Sequence, residues 1–232
     1  MTTEKIKLSE LVLDFSVYPR ADVDSQHVSY LREAEDAGCQ LPPVVIDRAT
    51  KRVIDGFHRV KMWRSKYSDS DPSVEVIAKS YESEKDVLLD AIRYNANHGR
   101  TLTRYDRTHC ILLGEKLHVP QDELASALSM TVERIGILKS ERVGTLHVGK
   151  TNEAIALKRT IRHMSGQRLT KHQSEVNDRL GGMNQSFYAN QLIMLIEADL
   201  LDVNDDSLLE SLGKLHRLLG RMKNQFKARV AS

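Results

Sequence analysis

The spacing of apolar positions changes from one short segment to the next along the first hundred residues. Val28, Leu31 and Ala34 recur at helical spacing, behind the good N-cap types Asp24 and Ser25 and ahead of Gly38, so a helix is expected over Asp24–Ala37. Pro42-Pro43 ends that unit. Val44–Asp47 and Arg52–Ile54 are short Val/Ile-rich runs around the polar turn Arg48–Lys51 and read as a hairpin. A helix follows Gly56 through Val60, Met62 and Trp63. Val74–Ala78 alternates as a strand does, and Glu84–Tyr94 sets Val87, Leu88, Ala91 and Ile92 on one helical face. Lys5–Asp14 reads as a short strand or turn. Tyr18-Pro19-Arg20 is an extended connection, because proline pushes the preceding residue out of the helical region. Strands mixed with helices over so short a span predict a compact α+β domain ending near Arg100.

Beyond Leu102 the apolar spacing is helical throughout: Thr103–Leu117, Gln121–Leu128, Thr131–Arg142, Asn152–Met164 and Thr170–Leu180, then a break at Gly181-Gly182, then Ser186–Leu201 and Ser207–Arg229. The expected division is residues 1–100, 101–150 and 151–232. Pro120–Leu138 has helix-turn-helix spacing, with Leu124, Leu128, Met130, Ile135 and Leu138 inward and Ala125 small where the helices approach. Ser129 stands where the tight turn usually has glycine. The recognition helix would start at Thr131, and Thr131, Glu133, Arg134, Lys139 and Arg142 are the candidate DNA contacts. Its outward face, which includes Val132, Gly136, Ile137 and Ser140, is poor in side chains that read base edges. Lys139 and Arg142 suit the phosphate backbone. Further on, Leu208, Leu212, Leu215, Leu219, Met222 and Phe226 form an apolar seam. It packs either on the preceding helix or on a second chain, and a homodimer fits the two-fold symmetry common to helix-turn-helix proteins.

Composition is that of an ordinary globular chain, with 41% hydrophobic and 28% charged residues. No apolar run approaches the roughly 20 residues of a membrane span, and the N-terminus lacks the apolar core of a secretory signal. A cytoplasmic protein is expected, nucleoid-associated if it binds DNA. Cys39 and Cys110 read as reduced, mostly buried thiols. The net charge of +2 matters less than its distribution: Lys158, Arg159, Arg162, Arg168 and Lys171 come without an acid between them, and six acids without a base run from Glu197 to Glu210. The nine histidines show no paired metal spacing and there is no Cys-x-x-Cys, so no metal site is expected.

The candidate chemistry lies at Ile54-Asp55-Gly56-Phe57-His58-Arg59, where a glycine-containing loop carries a His-Arg pair to a helix start. Outward-pointing N–H groups, the helix dipole and a forked guanidinium there suit an anion. A second polar cluster, Asn95-Ala96-Asn97-His98-Gly99-Arg100, follows. Together with Leu41–Ile46, Tyr18-Pro19-Arg20 and the stretch through Thr101-Leu102-Thr103 and Asp106-Arg107, these residues resemble the ParB family over roughly residues 5–145, closest in pattern to ParB-like regulators from antibiotic gene clusters. The resemblance implies a ParB/sulfiredoxin-like N-terminal domain, then an all-α helix-turn-helix region and a C-terminal helical segment. It implies a nucleotide ligand, CTP in the family, with Mg. Gly56, His58 and Arg59 match the family's Gly-acid-Arg-Arg motif, with His58 for the first Arg and Phe57 for the acid. Asn95–Arg100 sits at the second motif, Glu-Asn-x-x-Arg, without matching it residue by residue, and Arg20 matches the family's arginine near the pocket. Sulfiredoxin needs a reactive Cys where Phe57 stands.

The expected function is therefore a dimeric ParB-like protein on double-stranded DNA, a transcriptional regulator or partition-type factor, modulated by a nucleotide. Two other readings stay open. One is a nucleotide- and metal-dependent nuclease or phosphotransferase, or a slow nucleotide triphosphatase, for which Asp47 and Asp55 are the candidate carboxylates. The other is a protein-interaction adaptor. Arg59 and His58 could instead simply cap elements or pair with Asp47 and Asp55.

Overall fold

A computed structural model describes residues 3–21, 23–97, 101–148 and 151–230, with side chains described except at 97 and 224–230. The expected His98, Gly99 and Arg100 lie outside the described residues, as does the Asn97 side chain. The chain divides into two compact units, Met1–Gly182 and Met183–Ser232.

The first unit is mixed α+β. Its elements begin β1 (Glu4–Lys7), α1 (Ser25–Asp36), β2 (Val44–Asp47), β3 (Val53–Asp55), α2 (Phe57–Lys66), β4 (Ser73–Lys79) and α3 (Glu84–Asn97). The strands form one sheet in the order β1-β4-β2-β3. β1 is antiparallel to β4, with Ile6 opposite Val74; β4 is parallel to β2; and β2 is antiparallel to β3. Successive side chains of a strand point to opposite faces. Val44 and Ile46 accordingly pack with Phe57, Val60, Met62 and Trp63, while Val45 and Ile54 pack with Val87 and Ala91 on the other side. This two-sided burial explains why β2 is apolar at every position but its last.

Three helices follow, α4 (Arg104–Lys116), α5 (Gln121–Ala127) and α6 (Val132–Arg142), over the segment expected to form a helix-turn-helix. Leu124, Leu128, Ile135 and Leu138 are buried together, with Met130 packed against them. The same cluster takes in Leu88, Leu89 and Ile92. Helix α3 thus turns Val87 and Ala91 to the sheet and Leu88 and Ile92 to the helix-turn-helix, and joins the two through continuous packing.

The expectation of helices alone beyond Leu102 is corrected. Residues Val143–Val148 (β5) and Thr151–Ala156 (β6) pair antiparallel along their whole length, and Arg168–Leu169 (β7) adds to β5 in parallel. The expected helix over Asn152–Met164 is strand β6 followed by a 3₁₀ segment, Arg159–Met164. Ala154, Leu157, Ile161 and Met164 happen to recur at spacings of three and four, which mimics a helical stripe. The β-branched Val143, Thr145, Val148, Thr151 and Ile155 were the competing signal. The first unit runs on through β6 and α7 (Lys171–Arg179) to Gly182. Cys39 is also corrected: it is exposed, whereas Cys110 is buried.

The second unit consists of α8 (Gln185–Glu197) and α9 (Asp206–Val230). None of its described side chains is buried. Leu208, Leu212 and Leu215 are half-covered, and Met194, Leu200 and Val203 are exposed at 60%, 69% and 69%. Among the described residues, no helix is long and apolar enough to cross a membrane.

Candidate phosphate and nucleic-acid sites

Gly56 caps α2 with φ 110° and ψ 20°, a backbone state that L side chains rarely adopt. A Cβ at this position would lie 2.8 Å from Arg59 Nη2 and 2.9 Å from Val44 Cγ2. Glycine is required here on both counts. Phe57, at the position of the family's acid, turns into the core. Its ring stacks on Tyr18 at 3.9 Å between centroids, with Phe15 edge-on to both. His58 Nε2 accepts the Asp24 backbone N–H at 3.2 Å, and the ring meets His27 edge-on. Arg59 Nη2 donates to Asp55 Oδ2 at 2.7 Å, and Arg59 Nε is buried without a hydrogen-bond partner.

Arg20 and Asn95 meet elsewhere. Arg20 Nε donates to Asn95 Oδ1 at 3.2 Å, and its Nη1 lies 4.0 Å from Asp106 Oδ2. Asn95 Nδ2 in turn donates to the Ala91 carbonyl. Asp106 completes a capping box with Thr103 at the start of α4. The Tyr-Pro-Arg segment, α3 and α4 are thereby tied by one buried polar network.

Asp47 and Asp55 do not converge. Asp47 accepts from Thr50 Oγ1 and the Ala49 N–H in the β2–β3 turn, whereas Asp55 holds Arg59. Among the described residues, no group of three or more His, Cys, Asp or Glu is placed to hold a metal ion.

Between α5 and α6, Ser129 has φ 52°, a left-handed backbone at the position where a tight turn usually has glycine. Thr131 Oγ1 accepts the Arg134 N–H at 3.2 Å and caps α6. Val132, Glu133, Gly136 and Ser140 are exposed, and Arg134 is half-buried. Lys139 Nζ pairs with Glu115 of α4. Arg142 is the exception among the candidates: it is only 5% exposed and does not share the outward face.

Arg142 instead lines a cavity of about 1030 Å³ with Arg20, Arg104 of α4, Lys158, and Arg159 and Arg162 of the 3₁₀ segment. Arg142 Nη1 reaches the Leu157 carbonyl at only 3.4 Å, and its Nε is buried without a partner. Burial, then the charges of Arg104 and Arg162, lower its pKa. Among the described residues, Arg104, Arg142, Arg159 and Arg162 have no carboxylate partner. The wall is firmly built: Lys158 Nζ donates to the Asp178 and Leu180 carbonyls at 2.6 and 2.7 Å and sits over the Tyr105 ring. Burial and the nearby Asp178 push the Tyr105 hydroxyl up to about 12. The acid-free run from Lys158 to Lys171 was the only sequence signal for this cluster. Its convergence with Arg104 and Arg142 is a tertiary fact.

No protein-family profile matches the chain. Over 139 residues it is 28% identical to the transcriptional regulator NovG of Streptomyces niveus, covering 59% of this chain and 41% of that protein. Over 118 residues it is 26% identical to a possible regulatory protein of the streptomycin biosynthesis operon of Streptomyces griseus, covering 50% and 32%. The chain is similar to ParB-like regulators. It spans well under half the length of both of these relatives. Its fold neighbours include the C-terminally truncated chromosome-partitioning protein ParB of Caulobacter crescentus. In that protein's complex with the centromeric parS site the TM-score is 0.41 at 13% identity, over 58% of this chain and 69% of that one. In its complex with CTP-γ-S the TM-score is 0.36 at 13% identity, over 60% and 77%.

Proposed function

We propose that the chain is a dimeric, cytoplasmic, nucleoid-associated DNA-binding regulator of ParB-like type whose hold on double-stranded DNA is modulated by a nucleotide. The observation that carries the DNA reading is the α5–α6 unit: a buried inner set, a left-handed turn residue at Ser129, a Thr131 cap, and an open face at Val132, Glu133, Gly136 and Ser140. Both curated relatives are named as regulators, which favours regulation over partition. Thr131, Glu133, Arg134 and Lys139 are the candidate contacts of α6.

The nucleotide reading rests on the α2 loop of Gly56, His58 and Arg59, with Arg20 and Asn95 in the network that reaches α4. CTP with Mg is the ligand that the family resemblance implies. A ligand that draws Arg59 from Asp55 would act on DNA only if it binds two arrangements of the α3–α4 connection with different affinity. The dimer reading rests on α8 and α9, since none of the described side chains of the apolar seam is buried, and a second chain would cover it.

The test is selection of duplexes from a random pool by the full chain, followed by anisotropy titrations at several salt concentrations. A selected site that binds more tightly than scrambled duplex, with affinity falling steeply as salt rises, supports the reading. No preference for any duplex refutes it. Sedimentation of the full chain beside Leu212→Asp reads the dimer separately, and CTP titration beside Arg59→Ala reads the nucleotide.

A further inference from the structure

We propose that the cavity between α4, the end of α6 and the Lys158–Arg162 segment is a binding site for a small phosphate-bearing ligand, with Arg104, Arg142, Arg159 and Arg162 as its phosphate-holding side chains. The site shares Arg20 with the nucleotide reading but none of Gly56, His58 and Arg59, so it goes beyond that reading and does not depend on it.

The arginine cluster itself calls for an anion. A buried cation without a counter-charge costs several kcal/mol, and Arg142 is such a cation, held by one long bond to the Leu157 carbonyl. Other guanidinium groups surround it, and none has a carboxylate partner among the described residues. Six cationic side chains line the cavity against three carboxylates, Asp24, Asp106 and Asp178. Of these, Asp106 already accepts from Thr103 and faces Arg20, and Asp24 caps α1. Forked guanidinium donors match the oxygens of phosphate and carboxylate groups, and the dianionic charge of a phosphate ester answers the excess of cations here. The volume lies at the upper end of the roughly 300–1,000 Å³ of small-molecule sites.

Free phosphate esters fit better than a DNA backbone. Arg142 is beneath the surface, and it closes the C-terminal end of α6, whereas a recognition helix meets bases with its N-terminal residues. A ligand here would touch the start of α4, the end of α6 and the second sheet's continuation at once, and so would fix the helix-turn-helix against the rest of its unit.

The experiment is calorimetric titration of the full chain with inorganic tripolyphosphate, without Mg and at constant ionic strength, beside Arg162→Gln, Arg142→Gln and Arg59→Gln. Arg162 is exposed, so its variant tests the site even if Arg142→Gln unfolds the chain. Expected is saturable binding at one site, weakened about tenfold or more by Arg162→Gln and Arg142→Gln, and unchanged by Arg59→Gln. Absence of saturable binding overturns the proposal, as does binding that Arg162→Gln leaves intact. Loss with Arg59→Gln alone would place the anion at the α2 loop. If tripolyphosphate does not bind while Arg162→Gln weakens duplex binding, the cluster is a DNA-backbone surface and the proposal also fails.

Discussion

Replacing Gly56 with alanine adds one methyl group at a point where the chain can neither turn nor yield. The residue would have to hold φ 110°, and left-handed backbone costs an L-residue about 1–2 kcal/mol. Its Cβ would approach Val44 Cγ2 to 2.9 Å, and Val44 is fully buried in β2. Overpacking of that kind costs about 1–3 kcal/mol. The smaller conformational freedom of alanine in the unfolded chain returns about 0.4–1 kcal/mol. The expected net loss is therefore about 1–4.5 kcal/mol. Trp63 is the single tryptophan of the chain and is nearly buried in the helix that Gly56 begins, so its fluorescence in urea follows this part of the fold. A double-mutant cycle separates the causes. The other close atoms belong to the flexible end of Arg59, at 2.8 and 2.9 Å. Arg59→Ala in the Gly56→Ala background should relieve only that share, about 1 kcal/mol or less. A loss below about 0.5 kcal/mol for Gly56→Ala, or full recovery on removing Arg59, would refute the argument from backbone and Val44.

Burial lowers the pKa of His109 below the ordinary 6.5 of an imidazole, against the opposing pull of Asp106 and a Tyr18 backbone hydrogen bond. The unfolded chain then takes up the proton first, so stability present above 6.5 is lost as pH falls toward and through the folded pKa; His109→Gln should flatten the change in urea midpoint between about pH 7.5 and 5. Ser129 occupies left-handed space at φ 52°, so Ser129→Gly should gain stability, by up to about 1.5 kcal/mol, while Ser129→Val loses about 1–2 kcal/mol, read by thermal melts. A thiol reagent should modify the exposed Cys39 in the native protein and reach Cys110 only on unfolding, because burial pushes the Cys110 thiol far up and its Sγ donates to the Pro19 carbonyl. Rapid modification of both would show that the α4 core opens more readily than its packing implies.

Local signals made much of the first 142 residues legible. Caps, prolines and short Val/Ile runs act within a few residues of themselves, and so Asp24, Thr103, Thr131, the β2–β3 hairpin and helices α4 to α6 could be located along the chain. Gly56 and Ser129 stood out because a tight turn restricts which residues tolerate positive φ. The region after Arg142 misled. A sheet is held by partners distant in sequence, and the chance helical spacing of Ala154, Leu157, Ile161 and Met164 carried no trace of the pairing between β5 and β6. The same limit applies to the side chains. Sequence alone determined that Arg59 stood at a candidate anion site, that Arg142 was a candidate DNA contact, and that Lys158, Arg159 and Arg162 belonged to an acid-free basic run. Only the tertiary structure decided that Arg59 is paired with Asp55, and that Arg142 turns inward to meet Arg104, Arg159 and Arg162. A charge is a property of one residue, whereas its burial and its neighbours are set by which surfaces the whole chain brings together.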